Sequence, residues 1–188
     1  MRVILASQSP RRRELLGLFR IPFEVQVADI DETMDPDLPA MEAVKQVCRR
    51  KAMAIHPEND DDVVIAADTI VVIGNEILGK PQSPDHARQM LRRLSGQVHQ
   101  VMTGVAIRRG SQCSIHTEVT DVTFRALTDT EIDAYIATGE PMDKAGAYGI
   151  QGGAALFCEK LCGDYYNVMG LPVCRLHTML KSMAPELF

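Results

Sequence analysis

The stretch from Val63 to Ile73 constrains the fold most, because it is an eleven-residue apolar run broken only by Asp68 and Thr69. It is too short, and too polar at its middle, to span a bilayer. Its apolar character predicts a buried strand that ends at the turn Gly74-Asn75. A carboxylate in such a strand must be paired, hydrogen-bonded or bound to a metal. A structural aspartate that caps a nearby backbone group is one alternative. Because ligands collect at the carboxyl ends of parallel strands, the pattern favours Asp68 as a general base or a metal ligand.

Extended and helical patterns alternate along the chain. Strands are predicted at Val3 to Ala6, around Phe23 to Val27, at Val63 to Ile73, Val98 to Ile107 and Ile115 to Phe124. Helices are predicted at Pro10 to Phe19, at Met41 to Ile55, from Ser83, from the capping box at Thr128, and from Pro172. Two hairpins interrupt the βαβ series, so we expect an α/β fold with a mixed central sheet flanked by helices. The length of 188 residues favours one domain, or two closely packed lobes.

The charge balance excludes some classes of partner. The chain carries 20 basic and 25 acidic residues, a formal net charge of −5, which argues against non-specific coating of nucleic acid. It also has no Trp and only 5% aromatic residues, which argues against a base-stacking platform. Any bound anion must therefore be held by a local basic cluster. The start of the sequence resembles neither a signal peptide nor a membrane anchor, so we expect a cytoplasmic protein with no membrane partner.

The sharpest local signal is the segment from Ser7 to Arg13, where three arginines fall in the first turn of a predicted helix. The helix dipole disfavours cations at this end, so local stability alone would select acidic residues. An anionic ligand would resolve the conflict by taking backbone N–H groups, serine hydroxyls and guanidinium groups together. A solvated charged turn explains the same pattern about equally well.

Two other lysines are weaker candidates for anion binding. Lys80 stands between Gly79 and Pro81, so its ammonium would be presented from a constrained turn. Lys51 ends a basic run on a helix whose other face is apolar. Taken alone, each is more typical of a solvated surface charge.

The segment from Asp143 to Gly153 contains four glycines within eight residues, which would let backbone approach a ligand closely. The glycine spacing matches neither the Walker A nor the dinucleotide-binding fingerprint, and a flexible loop is the alternative. Tyr148, Ile150 and Gln151 are unusual in a flexible linker. Gln151 carries both a donor and an acceptor, so it could read a base edge.

An acidic stretch runs from Asp29 to Asp37, and most of its carboxylates are expected to be solvated. Glu32 is the member that could join Asp68 in holding Mg²⁺ or Mn²⁺ through oxygen ligands. The five histidines show neither metal-ligand spacing nor a triad pattern, and we interpret them as structural or surface residues.

Taken together, these segments resemble the Maf family of nucleoside triphosphate pyrophosphatases. The matching motifs span nearly the whole chain: Leu5 to Arg12 with Glu14 to Leu16, Ala67 to Val71, Gly79 to Pro81, Met90-Leu91 with Leu94 to Gly96, Asp143 to Gly152, and Gly170 to Pro172. Each motif alone is weak, but their number and order make the resemblance specific.

The resemblance implies an elongated, inosine triphosphatase-like fold of residues 1–188, with two lobes around a nucleotide-binding cleft. It also implies hydrolysis of a nucleoside triphosphate to the monophosphate and pyrophosphate with a divalent metal, and a homodimer. The family's proton acceptor falls on Asp68. Its basic phosphate-binding positions fall on Arg11 or Arg12, on Lys51 and on Lys80, with Ser7 nearby.

Three positions bear on the choice of substrate. Arg12, Thr69 and Gln151 resemble the family branch that acts on dTTP and UTP, whereas the branch acting on 7-methyl-GTP typically has Gln at the position of Thr69. Two alternatives stay open at this point. One is a house-cleaning enzyme for modified pyrimidine nucleotides, and the other is a nucleotide-binding regulator of septum formation and cell division.

Overall fold

The computed structural model describes residues 1–27 and 29–188. The strands in these ranges are β1 (Val3–Ala6), β2 (Glu24–Val25), β3 (Val63–Ile73), β4 (Glu76–Leu78), β5 (Val98–Arg109), β6 (Gln112–Phe124) and β7 (Cys158–Cys162). The helices are α1 (Pro10–Gly17), α2 (Ala40–Ala54), α3 (Pro84–Leu94), α4 (Asp129–Ala137), α5 (Tyr165–Met169) and α6 (Val173–Met183).

One mixed sheet joins the strands in the order β2-β1-β3-β5-β6-β7, with β4 paired to β3. Strand β1 runs parallel to both β2 and β3, whereas β4 and β7 pair antiparallel with β3 and β6. The parallel register places Val3 beside Val63 and Ala6 beside Ala66. The predicted mixed α/β fold is therefore confirmed.

The chain divides into two compact units. The first unit comprises residues 1–68, 103–118 and 170–188, and the second comprises residues 69–102 and 119–169. In the first unit, α2 buries Cys48 and Ala52 together with Ile4 of β1 and Val64 of β3. This apolar packing fixes α2 against the strands that carry the candidate site.

In the second unit, helices α3 and α4 pack against each other. Helix α3 buries Met90, Leu91 and Leu94 as one apolar stripe, as the sequence predicts. Thr128 and Glu131 form the predicted capping box of α4, which satisfies backbone donors at the start of that helix.

Several predicted boundaries differ from the structure. Helix α1 ends at Gly17, two residues before Phe19, and β5 continues through Arg109, so the following turn contracts to Gly110 and Ser111. Strand β7 and helix α5 were not predicted. Strand β7 is mostly exposed and pairs with β6 as the last strand of the sheet order, so it lacks the alternating apolar pattern that marks a half-buried strand. Among the described residues, no helix combines the length and the apolar character needed to cross a bilayer.

Candidate functional site

The carboxyl end of the parallel pair β1 and β3 carries two buried polar side chains. Ser7 directly follows β1, and Asp68 lies two residues beyond Ala66, the last residue of β3 that pairs with β1. Ser7 and Asp68 are each only 9% exposed. A hydroxyl and a carboxylate therefore lie at the edge of the sheet where α/β proteins usually bind ligands.

Lys51 supplies the positive partner of Asp68. Its ammonium Nζ lies 2.7 Å from Oδ1 of Asp68 and 2.9 Å from Oε1 of Glu32, so one cation joins the two carboxylates that were expected to share a metal. Lys51 is 8% exposed. The interpretation of Lys51 as part of a solvated helix face is therefore wrong. Lys51 belongs to the buried face of α2, which also contains Val47 and Cys48.

A glycine on β5 allows α2 to lie this close to the sheet. A Cβ atom on Gly104 would stand 2.7 Å from Sγ of Cys48 and 3.1 Å from the carbonyl oxygen of Val44, so any larger residue would push the helix outward. Burial, aided by the nearby Asp68 carboxylate, raises the pKa of the Cys48 thiol. This cysteine is a neutral packing residue rather than a nucleophile.

Arg12 is the arginine of α1 that reaches the same end of β1. Its Nε donates to the carbonyl oxygen of Gly170 at 2.8 Å, and its Nη1 donates to Oγ of Ser7 at 3.4 Å. Burial lowers the pKa of Arg12, and the Asp68 carboxylate partly opposes that effect. Arg11 is half-buried and Arg13 is exposed. Ser9 caps the helix, as predicted, by accepting from the backbone N–H of Arg12.

The neighbour of Lys51 on α2 holds the chain around Glu32, and sequence reasoning missed it. Arg50 donates from Nη1 to the carbonyl oxygen of Asp31 and from Nη2 to that of Thr33, each at 2.6 Å. These two carbonyls flank Glu32, so one guanidinium group holds the chain on both sides of the residue that pairs with Lys51. This pair of hydrogen bonds is referred to below as the clip. The sequence signal was the basic run that ends at Lys51, which was interpreted as a solvated helix face.

The other predicted site residues belong to the second unit. Thr69 is half-buried in β3, whereas Lys80 and Gln151 are exposed. The N–H of Gly146 donates to the carbonyl oxygen of Gly79 at 3.0 Å, which joins the Lys80 turn to the glycine-rich segment. The structure thus brings Asp68, Lys51 and Glu32 into direct contact, and it joins Ser7 to Arg12.

The sequence suggested that the four glycines of the Asp143 to Gly153 segment leave the backbone open to a ligand, but side chains of the protein occupy the space beside them. A Cβ atom on Gly146 would meet the side chain of Val71 at 2.8 Å, and one on Gly149 would meet the Lys144 stem at 2.8 Å. One on Gly152 would collide with the Glu140 carboxylate. At Gly146, which also has a positive φ, the packed Val71 side chain leaves no room for a larger residue, whereas at Gly149 and Gly152 the space is taken by the flexible side chains of Lys144 and Glu140.

Glu140 and Tyr135 are further residues that sequence reasoning missed. The hydroxyl of Tyr135 donates to Oε1 of Glu140 at 2.9 Å, and Oε2 of Glu140 accepts from the N–H of Gly153 at 3.0 Å. The only sequence signal was the pair Gly152-Gly153, which lies beside Glu140 and Tyr135 in the structure. It could not be read without knowing which residues face each other.

The histidine of β5 has the structural role expected for it. His99 is 1% exposed and its Nε2 lies 2.8 Å from the hydroxyl of Tyr148 in the glycine-rich segment. Its ring packs edge-on against Phe124 and Tyr148. Burial lowers the pKa of His99 to about 4, so the ring is neutral near pH 7.

The residues near Asp68 have the donor chemistry that a hard divalent cation needs. Asp68 and Glu32 offer carboxylate oxygens on either side of one ammonium. Within residues 1–27 and 29–188, no group of three or more acidic, histidine or cysteine side chains is placed to hold a metal. Two carboxylates suit Mg²⁺, which usually takes one or two of them and completes its shell with water and substrate phosphates.

Comparisons with known proteins identify the family. The chain is 52% identical over 179 residues to a protein of Halalkalibacterium halodurans named dTTP/UTP pyrophosphatase, which covers 95% of this chain and 94% of the relative. It is 47% identical over 180 residues to a Bacillus cereus protein of the same name, covering 96% and 94%. The Ham1 protein of Staphylococcus aureus shares the fold, with a TM-score of 0.50 at 10% identity over 97% of this chain and 99% of that chain. A family model described as Maf-like protein matches residues 2–183, and the chain therefore belongs to the Maf-like family.

Proposed function

We propose that this chain hydrolyses dTTP and UTP to the corresponding monophosphates and pyrophosphate. The observation that carries the proposal is the buried ion pair between Lys51 and Asp68, just beyond the carboxyl end of the paired part of β1 and β3. Burying a charged pair costs desolvation energy that packing does not require, so a functional reason is favoured. The names of two relatives at about half identity supply the substrate class.

Cleavage of this substrate first requires neutralisation of several phosphate charges. Arg12 and Lys51 in the first unit and Lys80 in the second are the cations we assign to this task, with Arg11 as the alternative arginine. The Ser7 hydroxyl would donate to a phosphate oxygen. Because Arg12 already bonds Ser7, the two side chains can act on neighbouring oxygens of one phosphate.

Asp68 is the residue we assign as general base. It would take a proton from a water molecule whose oxygen attacks the α-phosphorus. The new P–O bond forms on the monophosphate as the bond from phosphorus to the bridging oxygen breaks, and pyrophosphate leaves with that oxygen. Lys51 fixes the orientation of the carboxylate through its bond to Oδ1, which such a proton transfer needs.

Asp68 and Glu32 are the residues that would hold the divalent metal, either Mg²⁺ or Mn²⁺. When bound, such a cation supplies charge neutralisation on the phosphates and acidifies a nearby water. The chain's own contribution is to keep two carboxylates within reach of one position.

The preference for dTTP and UTP is assigned to Arg12, Thr69 and Gln151. This assignment rests on the resemblance of these three positions to the dTTP/UTP branch of the family. We further propose that residues 1–188 act as one domain and that the enzyme is a homodimer. We place it in the cytoplasm because its proposed substrates are free nucleotides, and we propose that neither nucleic acids nor membranes are its partners.

The test is a pyrophosphate-release assay over the common nucleoside triphosphates and base-methylated analogues, each with Mg²⁺, with Mn²⁺ and with a chelator. We expect the highest kcat/KM for dTTP and UTP, a lower value for CTP and far lower values for purine nucleotides. A purine preference would contradict the specificity assignment. A higher kcat/KM for a methylated analogue would favour the house-cleaning role. Nucleotide binding without any turnover would favour a regulatory protein.

A further inference from the structure

The turn that carries Gln151 is held at both ends by one pair of side chains. The N–H of Gly149 donates to the hydroxyl oxygen of Tyr135 at 3.1 Å, and the N–H of Gly153 donates to Oε2 of Glu140 at 3.0 Å. Tyr135 in turn donates its proton to Oε1 of Glu140 at 2.9 Å. A closed chain of hydrogen bonds therefore spans the turn on the side of α4.

The residues between these anchors are shaped to fit the pair. Gly152 donates to the carbonyl oxygen of Gly149 at 3.1 Å, which makes Ile150 and Gln151 the central residues of a tight turn. A Cβ atom on Gly153 would stand 3.1 Å from the Tyr135 ring, and one on Gly152 would collide with Glu140. Because Gly152 and Gly153 have no side chains, Tyr135 and Glu140 can pack directly against the backbone of the turn.

A fixed turn matters because a glutamine side chain can act either as a hydrogen-bond donor or as an acceptor. Its amide offers both a donor and an acceptor, so a freely rotating glutamine can satisfy either a carbonyl or an amino group. Uracil and thymine present a carbonyl at the position where cytosine presents an amino group. Gln151 is exposed, so core packing does not fix its orientation. Discrimination between the two bases requires that the backbone below the amide be held still.

We propose that Tyr135 and Glu140 are positioning residues that orient Gln151 and thereby set the preference for a pyrimidine with a 4-carbonyl group over one with a 4-amino group. This inference rests on the proposed function. Neither side chain needs to touch the nucleotide. The Tyr135 ring packs edge-on against Phe157, and the hydroxyl is the only polar group of the side chain.

Tyr135→Phe tests the proposal, because the variant retains the packed ring and loses both hydrogen bonds. We expect the ratio of kcat/KM for UTP over CTP to fall about fivefold, with kcat for UTP nearly unchanged. Glu140→Gln replaces one acceptor oxygen with a donor and should lower the ratio by about twofold. Tyr165→Phe, on an exposed tyrosine of α5, is the matched control and should leave the ratio unchanged.

A double-mutant cycle with Gln151→Ala separates positioning from general loosening. If Tyr135 acts through Gln151, Tyr135→Phe should not change the UTP/CTP ratio in the Gln151→Ala background. An equal fall in both backgrounds would overturn the inference, as would an unchanged ratio in Tyr135→Phe alone. Thermal unfolding of each variant checks that the fold is retained.

Two further measurements keep the inference apart from the proposed function. If the wild-type chain hydrolyses no triphosphate, the proposed function fails, and the affinities for α,β-imido analogues of UTP and CTP replace the kinetic ratio. Amide exchange at Gly149 and Gly153 should also rise about tenfold in Tyr135→Phe. Unchanged exchange would show that the pair does not hold the turn, whatever the activity.

Discussion

The two units hold their candidate functional groups by different forces. In the first unit a buried ammonium joins two carboxylates, and a guanidinium bonds a backbone carbonyl and a serine hydroxyl. In the second unit an exposed amide stands on a turn that is fixed by hydrogen bonds to backbone N–H groups. Groups suited to bind a polyanion are thus positioned by contacts between charges. The amide suited to bind a neutral base is positioned through hydrogen bonds to the backbone of its turn.

Asp68→Asn tests the charged groups of the first unit and should have the largest effect. The change retains the shape of the side chain but removes the proposed proton acceptor, so we expect kcat to fall about 10³-fold. Lys51 keeps its bond to Glu32, so the fold should be retained. Pyrophosphate release measures the effect, and Asp60→Asn on an exposed aspartate is the control. Near wild-type release from Asp68→Asn would refute the assignment.

Lys51→Met measures how much the first unit depends on its buried charge. The variant leaves two carboxylates together with no cation between them, so we expect a loss of about 2–4 kcal/mol in the free energy of unfolding. Lys45→Met is a close control, because Lys45 lies on the same helix and bonds Glu42 at the same 2.7 Å, but at the surface. It should cost less than about 1 kcal/mol. Equal losses in urea denaturation would show that burial adds nothing.

In the second unit, by contrast, the buried titratable side chain of His99 is neutral near pH 7. The pKa of His99 in the folded chain is about 4, below the ordinary value of 6.5, so the unfolded chain binds more protons between these values. Stability contributed by the neutral ring is complete above pH 6.5 and is lost as the pH falls toward 4. We expect a fall of about 3 kcal/mol over that range. His99→Leu should flatten this dependence in urea titrations at several pH values, and a parallel dependence would contradict the cause.

Arg50→Lys gives the smallest expected effect and tests the clip around Glu32. Lysine keeps the charge but cannot reach both flanking carbonyls as a planar fork, so we expect kcat/KM to fall about three- to tenfold. Arg49→Lys, on the adjacent exposed arginine, is the matched control. The same loss in both variants would show that charge on α2 matters and that the clip does not.

Much of the fold was predictable because local patterns match the final environment. Strands β1 and β3 have the predicted bounds, since each is a predominantly apolar run, interrupted in β3 only by Asp68 and Thr69. The helix starts at Ser9, Ser83 and Thr128 were also predicted, because capping is a short-range hydrogen bond visible in the sequence. Strand β7 escaped prediction because an exposed edge strand needs only a partner, and its partner is distant in sequence.

The candidate site was predicted as a set of residue types but not as an arrangement. Asp68 was singled out correctly as a carboxylate that needs a partner, but the partner was unknown. Lys51 looked solvated because no local pattern shows that Gly104 allows α2 to lie close to the sheet. The glycine-rich segment was taken as open backbone because Glu140 and Tyr135 do not reveal, by position alone, that they fill it.

From the sequence alone follow the fold class, the family resemblance and the presence of buried or clustered charges that need partners. These depend on spacing, capping and burial patterns, which act over a few residues. The tertiary structure decided which charges resolve one another. The Lys51–Asp68 pair joins α2 to β3, and the bond from Arg12 to Gly170 joins α1 to the region before α6. Such contacts depend on how secondary-structure elements pack, and packing brings together side chains that no local pattern relates.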